Sequence, residues 1–288
     1  MSIWKRLVHE ANCYFHRNSI ILNNPAQKAA ADSVNVHWYR LDRDDVQNLG
    51  DYLSPFIVEK CAEYWNIDCT HTVRGIRHLY AVGSILAHGF QDATVWGSGL
   101  LNGNTKKAWL CLHLQKLDVR AVRGPLTREV LIKNGQKCPE IYGDPGVLMP
   151  MFYQPASAEK KYNVSVIIHH THDLDRSTIP ADANMINILT IDYAHFIDEV
   201  CASKLVISSS LHGIILAEAY GVPAVFLAGK DFDLFKYMDY YMGTGRDNMA
   251  YARSIEEALA ITPMPLPELN DMQKALLNAF PRDMWESK

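Results

Sequence analysis

Three serines and a histidine crowd one short stretch of the chain. In VISSSLHGIILAEAYGVPAV (206–225) an apolar run ends in Ser208, Ser209 and Ser210, and His212 follows at the start of a helix-like run. A helix N-terminus leaves backbone N–H groups unpaired, and its dipole favours negative charge. Ser210 is a natural N-cap residue, and Ser208 and Ser209 add hydroxyls beside it. Together with the N–H of Leu211 they make a site for a phosphate or a carboxylate. His212, in the first turn, reaches the same anion and can serve as acid or base near neutral pH. The same residues also suit a plain helix cap, and the stretch alone leaves both readings open.

Other residues invite the same double reading. Asp51 stands before a helix expected to begin near Tyr52, and its residue type there favours a cap. Arg123 ends an apolar run before Gly124-Pro125. Its guanidinium either grips a carboxylate in a cleft with two bonds or makes a surface ion pair. Glu218 sits on an otherwise apolar helix and faces either a cleft or solvent. In HHTHD (169–173), His170 and His172 would share one face of a strand, a spacing seen in metal sites. No third ligand is evident, so a polar loop lining a cleft is preferred and no metal is expected.

The elements that must position these groups alternate along the chain. Strands are expected at 35–40, 78–82, 93–97 and 117–123. Helices are expected at 52–65, with Pro55 in the first turn, and at 125–135, opened by proline and closed by glycine. Prolines and small or charged residues mark a linker near 152–161. Beyond it come strands at 163–170, 186–191, 204–210 and 222–229. Helices are expected at 192–203, 211–221 and 266–280, the last packing back on the body. The aromatic run FKYMDYYMGTGR (235–246), with Tyr240, offers either a stacking wall for sugar or a packed helix. The expected architecture is α/β: two Rossmann-like domains, 1–152 and 162–288, facing each other across a cleft. Ligands in such sheets bind beyond the carboxyl ends of the strands.

Composition narrows the class. The chain has 288 residues, 48% of them hydrophobic and 21% charged, with a formal net charge of −4. That balance is ordinary for a globular protein and speaks against nucleic acid as a partner. Six cysteines, Cys13, Cys61, Cys69, Cys111, Cys138 and Cys201, are scattered without a CxxC pair. Reduced thiols and a cytoplasmic location are expected. No signal peptide and no apolar span are read. An amphipathic helix over 1–20 either packs on the body or touches a membrane surface peripherally.

The motifs together resemble the polysaccharide pyruvyl transferase family, in the manner of bacterial exopolysaccharide ketal pyruvyltransferases. SSSLHGIILAEAYGVPAV is similar to its histidine signature. QNLGDYLSPFIV (47–58) resembles its Asn-x-Gly-Asp element, with Asn48, Gly50 and Asp51 in place. VWGSGLL (95–101), VRGPLTREVLIKNG (122–135) and YGDPGVLMP (142–150) follow in the family's order. The resemblance implies a GT-B-like fold. It also implies transfer of the pyruvyl group of phosphoenolpyruvate to two hydroxyls of one sugar, with release of phosphate and no cofactor. The acceptor it suggests is a lipid-linked oligosaccharide. On this reading His212 and Asp51 are catalytic. Arg123, Ser209, Ser210, Leu211, His169 and His170 bind the donor, and Asn48, Ser98 and Tyr240 face the acceptor.

One departure stands out. The family often carries arginine where this chain has Ser210. His169 and His170 are the leading candidates to supply that charge, ahead of Lys204, Lys230 and Arg246. The main rival reading is a GT-B nucleotide-sugar glycosyltransferase, in which Glu218 would hold a ribose. GSGLLNG (97–103) only weakly suggests a dinucleotide turn, because its glycine spacing is wrong. A binding module without turnover is the third reading.

Overall fold

The computed structural model describes residues 33–286 apart from positions 44, 70–75, 90, 104, 158 and 231–232. Cys13 and the helix expected over 1–20 lie outside the described residues.

Two parallel sheets organise the chain. The first holds β1 (Ser33–His37), β2 (Ile76–Tyr80), β3 (Ala93–Trp96) and β4 (Leu117–Ala121), in that spatial order. Val34 pairs with Arg77 and Val95 with Val119 in parallel register. β3, ATVW, is buried along its whole length. It therefore lacks polar alternation, as expected of a parallel strand covered on both faces.

Three helices serve this half: α1 (Leu49–Tyr64), α2 (Lys106–Leu114) and α3 (Pro125–Lys133). Leu49, Leu53, Ile57 and Cys61 form a buried stripe on α1 at every fourth residue. Asn66, at φ 55°, makes the left-handed turn that ends α1. The helix begins three residues earlier than the proline pattern suggested. Asn48 is its N-cap residue, Asp51 lies inside the first turn, and Pro55 falls in the interior. Asp51 is therefore not the cap.

The chain then crosses over through a 3-10 turn (Pro145–Leu148) and a short helix, α4 (Met149–Phe152). The second sheet has β5 (Ser165–Ile167), β6 (Asn184–Met185), β7 (Val206–Ser208), β8 (Ala224–Leu227) and β9 (Tyr251–Ala252). Its spatial order is β6-β5-β7-β8-β9, all parallel. Its helices are α5 (Tyr193–Cys201), α6 (Leu211–Ala219), α7 (Phe235–Gly243) and α8 (Ile255–Ala260). The strand order reverses between β5 and β7, and a crevice for ligands opens at such a switch point.

The strand expected at 186–191 is absent. Pairing stops after Met185, because the Asn187 side chain bonds both the N–H and the carbonyl of Leu189 and bends the chain. The bend has a use. Leu189 bridges to Asn48, and the Leu49 N–H donates to the Ile188 carbonyl at 3.0 Å, joining the two halves.

The C-terminal helix α9 (Asn270–Asn278) lies on the first half. The indole N–H groups of Trp96 and Trp65 donate to the carbonyls of Leu276 and Leu277. Arg77 donates to the carbonyl of Met284, and Arg120 pairs with Asp283.

Candidate functional site

A cavity of about 210 Å³ opens where the two sheets meet. Its lining comes from segments that follow strands. Tyr39, Asn48 and Asp51 follow β1. Ser84, Ile85 and His88 follow β2, and Leu101 follows β3. His169 and His170 follow β5, Ser210, Leu211 and His212 follow β7, and Lys236 follows β8. It lies at the carboxyl edge of both sheets, and the β5–β7 switch point supplies one wall.

That wall is built by the serines. The Ser208 hydroxyl accepts from the Ser210 N–H and donates to the Ser210 carbonyl, which tightens the turn. Ser209 is fully buried, and its hydroxyl accepts from the His169 N–H at 2.8 Å. Ser209 thus ties the β5 loop to the β7 loop rather than facing a ligand. Ser210 holds the N-cap place of α6, yet its hydroxyl makes no capping bond. The first N–H groups of α6 and the Ser210 hydroxyl are therefore able to receive an anion.

His212 stands on the first turn of α6 against α1. A Cβ added to Gly50 would lie 1.8 Å from His212 Nδ1, so only glycine admits the ring. On the ring's other side, Nε2 faces Asp144 Oδ2 at 3.7 Å. Asp51 lies beside this ring. Burial pushes its carboxyl up to about 6, against the pull of His212 and Lys236.

Lys236 was not singled out by the sequence. It sits on α7 in the run read as an aromatic wall, and it is half-buried in the cavity. Burial, then repulsion from Arg123, lowers its ammonium to about 8, while Asp51 and Asp233 oppose the shift. It remains a cation at neutral pH. Asp144, in the Gly-Asp-Pro step, was also given no role.

Several expected roles change. Arg123 does not reach the cavity. Its guanidinium is fully buried, bonded to Asp239, to the Ser84 hydroxyl and to the Leu100 carbonyl. The physical reason is a partner brought from α7, which fixes Arg123 behind Ser84. Ser98 is also buried and donates to the Gly83 carbonyl. Tyr240 is buried and donates to Glu218, which Arg246 grips with two bonds. Glu218 therefore faces neither cleft nor solvent, and Arg246 is already paired.

The histidine charges change too. Burial, then repulsion from Lys236, lowers His169 to about 3 and depresses His170 as well. Both rings are neutral at pH 7 in the free protein, so they do not replace the missing arginine. Lys204 is exposed and bonded to Asn163, and Lys230 is exposed outside the cavity. HHTHD is a turn, not a strand, closed by the His172 N–H on the His169 carbonyl. Among the described residues no group of three ligands suits a metal ion. Position 99 admits no dinucleotide cradle, since a Cβ there would meet Arg123 Cζ at 2.5 Å.

A larger depression of about 630 Å³ lies between β4 and the C-terminal turn. Its Arg120 is held by Asp118 and Asp283, and no histidine, serine or cysteine lines it.

The model of the family described as polysaccharide pyruvyl transferase matches residues 45–231. The chain belongs to this family. The match spans Asn48, Asp51, Asp144 and His212 and stops short of Lys236. The family is one of transferases that move a pyruvyl group in polysaccharide biosynthesis. The uncharacterised protein L143 of Acanthamoeba polyphaga mimivirus is 27% identical over 230 residues, covering 74% of this chain and 76% of its own. A functionally uncharacterised protein of Klebsiella pneumoniae has a TM-score of 0.49 and 10% identity, covering 88% of this chain and 100% of its own. Among the described residues of this pyruvyl transferase family member, no helix is long and apolar enough to cross a membrane.

Proposed function

We propose that the protein is a ketal pyruvyltransferase that takes phosphoenolpyruvate as donor and a sugar diol as acceptor. The observation that carries this reading is the meeting, in one cavity, of an uncapped helix N-terminus, Lys236, His212 and Asp51.

The donor carries a carboxylate and a phosphate. The N–H groups of α6, with Ser210 and Leu211, suit one anion, and Lys236 suits the other. His169 and His170 border the same space as neutral hydrogen-bonding groups. His212 gives a proton to the donor's methylene carbon. The central carbon, now cationic, is attacked by one acceptor hydroxyl, and Asp51 takes that hydroxyl's proton. The second hydroxyl attacks as the carbon–oxygen bond to phosphate breaks. The two hydroxyl protons balance the one gained by carbon and the one carried off by phosphate. No cofactor is needed.

Tyr39, His88 and Leu101 suit the acceptor side better than Ser98 or Tyr240, since they line the cavity and the latter two are buried. The rings of Tyr39 and His88 lie 6.0 Å apart. Asn48, whose buried Oδ1 has no hydrogen-bond partner, suits a sugar hydroxyl. Residues 1–152 and 162–288 make two domains of a GT-B-like arrangement, with acceptor contacts in the first and donor contacts mainly in the second. A lipid-linked repeat unit fits as acceptor, met by a cytoplasmic protein at the membrane surface.

The test is phosphate release from phosphoenolpyruvate with lipid-linked oligosaccharides present. Acceptor-dependent release is the expected result. Thermal protection by a nucleoside diphosphate, and none by phosphoenolpyruvate, would overturn the reading in favour of a glycosyltransferase.

A further inference from the structure

Asp144 closes the first half of the chain, just before the crossover turn. Its Oδ1 accepts from the Gly146 N–H at 2.9 Å, which fixes the carboxyl's rotation. Its Oδ2 then points at His212 Nε2, 3.7 Å away. Both atoms are buried and neither has a hydrogen-bond partner. A buried polar group left unpaired is costly, so two facing each other need a reason. A charged imidazole ring supplies one. A small approach of the ring turns the gap into a charge-assisted bond.

We infer that Asp144 is a positioning residue for His212. It holds the Nε2 proton and stabilises the imidazolium, leaving Nδ1, beside Gly50, as the nitrogen that exchanges protons with substrate. His212 gives its Nδ1 proton to the donor carbon and keeps the Nε2 proton on the Asp144 side. The inference rests on the proposed function for its chemistry, but the pairing itself does not.

The other titratable groups around the ring are Asp51 on α1, His169 and His170 after β5, and Lys236 on α7. Asp144→Asn leaves all of them in place, and its amide oxygen can still accept from Gly146. It takes away the negative charge and turns a donating amide N–H, in place of an accepting oxygen, toward Nε2. Nuclear magnetic resonance of labelled histidine in the full chain reads the His212 titration directly. In D144N its midpoint should fall by about one pH unit or more, as when an opposite charge within 4–6 Å is lost. The kcat of pyruvyl transfer should fall by roughly 100-fold or more, with KM for phosphoenolpyruvate nearly unchanged. Asp144→Glu should recover part of both. An unmoved His212 titration in a folded D144N protein overturns the pairing, whatever the substrate. A moved titration with no wild-type turnover on phosphoenolpyruvate overturns the donor assignment and leaves the pairing standing.

Discussion

Gly50 and His212 touch across the two halves of the protein. A methyl group on Gly50 would stand 1.8 Å from Nδ1, 2.0 Å from Cγ and 2.5 Å from Cβ of the histidine. No small ring rotation relieves three such contacts.

Gly50→Ala therefore displaces the ring rather than the helix. Alanine is the better helix former, so α1 persists. Turnover should drop by about 100-fold, the scale of a misplacement near 1 Å. Phosphate release checks the loss, and an unchanged far-ultraviolet circular dichroism spectrum checks that the fold survives.

Lys236 and Asp51 each contribute a limb to the pH range, beside the proton that His212 must hold. Lys236 carries its charge below about 8, and Asp51 is ionised above about 6. For phosphoenolpyruvate, kcat/KM should rise through about 6 and fall through about 8. The donor's own phosphate ionises near pH 6, so Asp51→Asn separates the two causes by removing the enzyme's share of the acid limb. Lys236→Met should weaken donor binding by about 10- to 100-fold, the worth of a hydrogen bond to a charged group. Lys236→Arg should keep binding and move the alkaline limb upward. Calorimetry and pH–rate profiles measure both.

Asp51 also trades stability for its position. Its folded carboxyl titrates near 6, above its value in an unfolded chain. The folded state therefore holds the extra proton, an advantage fully present below about 4 and lost as pH rises through 6. Asp51→Asn should melt at a higher temperature than wild type at pH 7.5. The two should converge near pH 4. Differential scanning calorimetry at both pH values checks the sign.

Arg123 and Asp239 hold the frame. The pair is fully buried, and Asp239 also accepts from the N–H and hydroxyl of Thr127. Arg123→Ala leaves a buried carboxylate unpaired and should cost about 3–5 kcal/mol of stability. Arg123→Lys should also destabilise, because one ammonium does not serve Asp239, Ser84 and the Leu100 carbonyl together. Denaturant unfolding gives the size of both effects.

What the sequence made legible was local. The serine turn, His212 in the first turn of a helix, and Asn48, Gly50 and Asp51 grouped near the start of another helix each read from a few neighbouring residues, although that helix begins three residues earlier than they suggested. The parallel sheets followed from alternating runs of the same kind. What stayed hidden depended on distant partners. Arg123 pairs with a residue 116 positions away, so nothing nearby told whether it faced the cleft. The charge of His169 and His170 depended on burial and on Lys236. Lys236 itself stood among tyrosines, where ring stacking was the louder signal. A lone lysine one helix beyond the histidine turn was the available clue, and it takes the fold to aim it at the cavity. The strand lost at 186–191 turned on Asn187, a single side chain in an apolar run.

The C-terminal helix also fixes an order of events. Trp96 belongs to the first sheet, yet its indole N–H is satisfied by Leu276 and its ring is covered by Phe280, 5.0 Å away. A ribosome adding about 5–20 residues per second needs roughly ten to forty seconds between those two rings. Through that interval the half made first waits with its tryptophan uncovered, while the half made second can already close around its own strands. The part of the protein that is synthesised earliest is thus finished last, and a nascent chain stalled before residue 270 would present that apolar face to chaperones.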